Sequence, residues 1–137
     1  MHKAMPDVSL RECICDEAAN VPVDVVYDAV FSNSVFAYFK DLSYAEKVLA
    51  RMLNKTRRSL GILDVYDAEK YAACLEYRRK TIENYEERYR DLPKLAYPRA
   101  FFGDFAKRNG LEIHFGESGM DGYGNAAFVF DCFMWRQ

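Results

Sequence analysis

Two short apolar runs separated by one amphipathic segment constrain this chain more than any other feature. Residues 25–31 (Val-Val-Tyr-Asp-Ala-Val-Phe) are β-branched and aromatic, bounded by Pro22 before and Ser32, Asn33 and Ser34 after, and read as a buried strand. Ser43 and Glu46 have capping-box spacing, and Ala45, Val48, Leu49, Met52 and Leu53 follow at helical period. That helix should end near Asn54 and Lys55, where a basic residue suits the negative pole of the helix dipole. Residues 59–65 (Ser-Leu-Gly-Ile-Leu-Asp-Val) are the second strand. Strand, helix and strand with a crossover of this length form the βαβ unit of a parallel sheet.

After this unit, Asp67 can cap a third element. Tyr71, Leu75, Arg78, Ile82, Tyr85 and Tyr89 recur every three or four residues, which predicts one long, charged helix with an aromatic face, ending at Leu92-Pro93. Pro98 suits the first turn of another helix with Phe101, Phe102, Phe105 and Ala106 inward, and Asn109-Gly110 stops it. Residues 111–115 and 126–134 read as strands joined by a glycine-rich connection, most simply an antiparallel hairpin closing the sheet edge. The expected fold class is α/β, with parallel strands, flanking helices and a C-terminal antiparallel hairpin. There is no internal repeat, low-complexity tract or linker, and residues 1–137 are expected to form one domain.

Half of the 137 residues are hydrophobic, enough for a substantial core, which excludes a disordered tail, a collagen-like repeat and a disulfide-built mini-protein. A net charge of −2, from 19 basic and 21 acidic residues, lacks the footprint of a nucleic-acid or anionic-membrane binder. No apolar run has the length of a membrane span, and no signal peptide follows Met1, so a soluble, cytoplasmic protein is expected. Cys13, Cys15, Cys74 and Cys132 show no Cys-x-x-Cys spacing, and the histidines are His2 and His114, so no metal site is expected. Cys13 and Cys15 alternate along a strand-like stretch and should point to opposite faces. Reduced structural thiols are the expectation, and His114, inside a strand, reads as structural.

Three passages resemble the C-terminal half of a class I (Rossmann-like) S-adenosylmethionine-dependent methyltransferase. Cys15-Asp16-Glu17-Ala18-Ala19-Asn20-Val21-Pro22 is similar to the acidic-Ala-x-x-Leu-Pro segment after that family's third strand. Residues 27–39, from Tyr27-Asp28-Ala29-Val30-Phe31 through Tyr38-Phe39, are similar to its fourth strand and the loop that follows. The ending, a helix, a strand, a loop and a last strand, resembles its reversed final hairpin. The family's glycine-rich cofactor loop and the acid that holds the cofactor ribose precede this region. Gly116, Gly119, Gly122 and Gly124 lead into a strand rather than a helix, and read as a hairpin loop. The resemblance therefore implies half of a methyltransferase that binds S-adenosylmethionine weakly or not at all by itself.

Residue by residue, the resemblance implies that Asp16 or Glu17 accepts a hydrogen bond from the adenine amine, beside Ala18. A carboxylate suits an exocyclic amine because it only accepts. Ser32, Asn33 and Ser34 would lie along the methionine part of the cofactor. Tyr38 and Phe39 would wall the pocket, and Asp64 would orient substrate from the carboxyl end of its strand. The Tyr-rich segment, 68–97, sits where the family places a substrate-covering lid, with its Tyr71, Arg78 and Tyr85, and Arg99 just beyond it, toward a small-molecule acceptor. Each has a plainer reading: solvated loop acids at 16 and 17, a turn at 32–34, a helix cap at Asp64, and core packing for the aromatics. No residue identifies a general base. The alternative function is a non-enzymatic module pairing with itself or another chain through the strand at 25–31, which the missing first strands would leave as an apolar edge.

Overall fold

The computed structural model describes Ser9 and residues 11–137. Strands β1 (Tyr27–Asn33), β2 (Thr56–Tyr66), β3 (Leu111–Glu117) and β4 (Val129–Arg136) form one sheet in the order β1-β2-β4-β3. β1 and β2 are parallel, as the βαβ pattern requires, while β4 runs antiparallel to both β2 and β3. The hairpin expectation therefore holds with one refinement: the last strand lies inside the sheet, and β3 takes the edge.

Helices α1 (Leu42–Lys55) and α4 (Arg99–Arg108) pack on one face of this sheet. Ala45, Val48, Leu49 and Met52 of α1, and Phe102, Phe105 and Ala106 of α4, bury against Leu60, Ile62, Phe130, Cys132 and Met134. Burying each large apolar side chain contributes roughly 1.5–3 kcal/mol, so this layer is the main source of stability. Tyr97 and Phe36 fill the space between the helices, and the Tyr97 hydroxyl donates to the Phe36 carbonyl at 2.7 Å. Across the opposite face runs a register row of Phe31, Gly61, Phe133 and His114. Phe31 is 59% exposed there. Its ring lies over Gly61, where an added Cβ would come within 2.5 Å of it.

Several local expectations are corrected. Asp41 caps α1, its carboxylate accepting from the Tyr44 N–H at 2.7 Å, so Ser43 lies inside the first turn and no capping box forms. Asp67 does not cap the third helix; its side chain, 3% exposed, accepts from the Glu69 N–H and pairs with Arg99. The single long helix is two helices, α2 (Tyr71–Thr81) and α3 (Tyr85–Arg88). Thr81 turns its hydroxyl back onto the Tyr77 carbonyl, Ile82 is extended, and Asn84 is left-handed at φ 53°. Residues 11–15 hold no strand, so the alternation at Cys13 and Cys15 is lost, and both thiols are exposed. Only Cys74 and Cys132 are buried thiols. His114 lies within β3, as read, exposed and opposite Phe133.

Candidate functional site

Because β1 and β2 are parallel, both carboxyl ends open on the same edge of the sheet, where open α/β folds place their ligands. Ser34 directly follows β1, and Asp64 lies near the end of β2, at a bulge where the β2–β4 register shifts between Ile62 and Val65. Both residues are left-handed, Ser34 at φ 59° and Asp64 at φ 61°, a conformation that costs a residue with a Cβ roughly 1–2 kcal/mol. The surroundings compensate. The Ser34 N–H donates to the Leu63 carbonyl at 3.1 Å, and the Asp64 N–H to Asp131 Oδ1 at 2.9 Å. The bulge thus aims the Asp64 carboxylate past the sheet edge, as strained residues at functional sites are held by their neighbours.

A connected polar path starts at that carboxylate. Ser34 Oγ donates to Asp64 Oδ2 at 2.5 Å and the Tyr123 hydroxyl to Asp64 Oδ1 at 2.7 Å. Asn125 Nδ2 donates to the Tyr123 hydroxyl at 3.3 Å. Arg78 Nη2 then donates to Asn125 Oδ1 at 2.9 Å and to the Tyr66 hydroxyl at 2.6 Å. Tyr38 and Lys94 close the rim, with Lys94 Nζ 3.4 Å from the centroid of the Tyr38 ring. Together these residues line an open pocket of about 340 Å³, within the range of small-molecule sites. Burial pushes the phenols of Tyr66 and Tyr123 above their ordinary pKa, and the adjacent Asp64 charge adds to it, so both stay protonated, Tyr123 donating to Asp64 and Tyr66 accepting from Arg78. Burial opposes the charge on Arg78, but the nearby phenols of Tyr85 and Tyr66 outweigh this and raise its pKa.

A second cavity of about 340 Å³, mostly apolar, lies between α1 and the free edge of β1, lined by Ala18, Val30, Ser32, Asn33, Val48 and Met52 among others. The segment before β1 is tied to α1 there by Arg51 Nε on the Ala19 carbonyl at 3.0 Å and Lys55 Nζ on the Pro22 carbonyl at 2.5 Å. Among the described residues no cluster of His, Cys, Asp and Glu could hold a metal ion.

No family model matches the chain, and no curated protein matches it in sequence. Solved structures do. Magnesium protoporphyrin IX methyltransferase (ChlM) from Synechocystis PCC 6803 with bound SAH aligns at TM-score 0.60 and 12% identity, over 89% of this chain and 49% of that one. A possible exported protein from Bordetella parapertussis aligns at TM-score 0.60 and 12% identity, over 88% and 42%. The small RNA methyltransferase HEN1 aligns at TM-score 0.58 and 13% identity, over 89% and 15%. This chain has a class I methyltransferase-like fold. It spans about half the length of the ChlM chain.

On the methyltransferase-like sheet, the sequence-derived candidates separate into groups. Ser34, Tyr38, Asp64 and Arg78 converge on the pocket at the strand ends. Ala18, Ser32 and Asn33 share the cavity beside β1. Asp16 Oδ1 accepts from the Glu17 N–H at 2.7 Å and Asn20 Nδ2 at 3.4 Å, while Glu17 accepts from the Tyr44 hydroxyl at 3.4 Å. Tyr71 packs edge-on against Tyr66 with centroids 5.8 Å apart and lines a separate groove with Tyr85. Arg99 is engaged by Asp67 at 3.3 Å and stacks 4.9 Å from the Phe130 ring. Tyr66, Lys94, Tyr123 and Asn125 escaped the sequence reading as pocket residues. Tyr123 and Asn125 sit in the glycine-rich connection, where Gly122 is left-handed at φ 77°, so the loop that looked like a bare hairpin delivers two polar groups to Asp64 and Arg78.

Proposed function

We propose that this chain is the C-terminal portion of an S-adenosylmethionine-dependent methyltransferase, and that its acceptor, a small molecule, enters the pocket at the carboxyl ends of β1 and β2. The hydrogen-bonded path from Ser34 through Asp64, Tyr123, Asn125 and Arg78 to Tyr66, placed at the ligand edge of a methyltransferase-like sheet, carries this reading. The net charge of −2 favours a small molecule over nucleic acid or a membrane surface. No helix among the described residues is long and apolar enough to cross a membrane, and free thiols at Cys13, Cys15, Cys74 and Cys132 accord with the reducing cytoplasm.

The residues present fit part of a cofactor site. Asp16 keeps Oδ2 without a hydrogen-bond partner among the described residues, available to an adenine amine. Ala18, Ser32 and Asn33 wall the adjoining apolar cavity, and Ser34 joins it to the acceptor pocket. S-adenosylmethionine supplies an activated methyl group, so the chain's task is orientation and proton handling. Asp64 accepts the proton released by an acceptor hydroxyl or amine, held in place by Ser34 and Tyr123. Arg78, Tyr89 and Lys94 bring the 68–97 segment over the pocket as a lid that limits water.

The residues placed here supply only part of the cofactor contacts that the resemblance implies, so weak cofactor binding is the expectation for these residues by themselves. An amide-resolved NMR titration with S-adenosylhomocysteine tests this, backed by calorimetry. The expected result is weak binding, with shifts confined to residues 16–18 and 32–34. Tight binding by the chain alone would overturn the half-site reading, and no shift at those residues at millimolar ligand would overturn the cofactor placement.

A further inference from the structure

Arg78 is half-buried, yet both oxygens to which it donates are neutral, the Tyr66 hydroxyl and the Asn125 amide. Lys94, in the same pocket lining, faces an aromatic ring rather than an acid. Neither takes part in an ion pair among the described residues, where the paired cations are Arg57, Arg79, Lys80, Arg99 and Arg108. The one carboxylate in the pocket lining, Asp64, is held instead by the hydroxyls of Ser34 and Tyr123. Two cations without an acid therefore share the pocket lining with one hydroxyl-held carboxylate and the rings of Tyr38, Tyr66, Tyr89 and Tyr123. A partly desolvated cation with no acidic partner is a ready anion site, since pairing recovers hydration lost on burial.

We infer that the pocket selects flat aromatic carboxylates that also carry a hydroxyl or amine, with the carboxylate received by Arg78 and Lys94 and the hydroxyl or amine by Asp64. This rests on the acceptor-pocket reading above and narrows it to a substrate class. Tyrosine walls favour a ring, the guanidinium fork favours a planar carboxylate, and Asp64 requires a donor on the same ligand.

The test uses the whole chain with 4-hydroxybenzoate, and 4-hydroxybenzamide as the uncharged comparison, followed by NMR. The benzoate should shift resonances of Tyr38, Tyr66, Arg78, Lys94 and Tyr123, and bind about tenfold more tightly than the amide, the scale of one charge-assisted contact. Arg78→Lys and Lys94→Gln should each erode that preference by weakening benzoate binding more than amide binding. Lys94→Gln keeps the test decisive if Arg78→Lys loosens the loop held through Asn125. Equal affinity for the two probes, or shifts outside the pocket, would overturn the inference. Benzoate selectivity without any S-adenosylhomocysteine effect at 16–18 and 32–34 would instead keep the anion site and remove the methyltransferase reading.

Discussion

At the scale of single residues, Asp64 combines a left-handed backbone with a carboxylate serving two hydroxyl donors. Asp and Asn tolerate that conformation better than other residues with a Cβ. Asp64→Asn should therefore keep the backbone but leave one of the two hydroxyls without its acceptor, at a cost of about 1 kcal/mol. Asp64→Ala removes both acceptors and the local tolerance together, so its cost should exceed that of Asp64→Asn by about 1 kcal/mol or more. Urea unfolding of the two variants beside the parent orders them, and equal stabilities would mean that the strain is not carried at this position. The position of Asp64 was legible in the sequence because an acid ending an apolar run stands out. Tyr123 and Asn125 were not: their approach to the pocket depends on the path of a loop between two strands, and no local periodicity encodes such a path.

At the scale of elements, competing local signals decided what the sequence disclosed. The strands were legible from β-branched runs and α1 from its apolar period, because each buries one continuous stripe. The caps were less so, since Asp41 and Ser43 both stand at the start of the same helix, Asp41 just before it and Ser43 in its first turn. Asp41 won by adopting an extended backbone with its carboxylate on the Tyr44 N–H. Asp41→Ala should cost about 1 kcal/mol in denaturant unfolding, whereas Ser43→Ala should stay within about 0.5 kcal/mol of the parent. The reverse order would restore the capping box. The break between α2 and α3 hid behind an unbroken aromatic spacing, because Tyr71 and Tyr85 turn inward from two helices rather than one. Asn84, left-handed at the break, should accept glycine with little change, while Asn84→Val should destabilise by about 1–2 kcal/mol in the same assay.

The whole molecule carries two consequences that no element shows alone. The first is a dependence on alkaline pH. Burial pushes the Cys132 thiol from its ordinary 9.0 up to about 12, and it raises Cys74, Tyr66 and Tyr97 as well. A group with a raised folded pKa contributes its stability fully below its unfolded pKa and loses it as pH rises toward the folded value. The unfolding free energy should thus fall on the order of 1 kcal/mol per pH unit above about pH 9, and Cys132→Ala should flatten part of that slope. The second consequence lies at the free edge of β1, which pairs only with β2 among the described residues. Phe31 and Tyr27 stand exposed along that strand, and Trp135 stands exposed on β4. An unpaired apolar edge is a template for another strand, so this chain by itself should self-associate with concentration. Phe31→Lys should suppress that association, because an edge lysine must stay solvated, and it should not disturb the core, from which Phe31 points away. Light scattering across a concentration series checks both. A parent chain that remains monodisperse and monomeric throughout would show that the edge needs no partner, and would remove the expectation that another copy or another chain segment covers it.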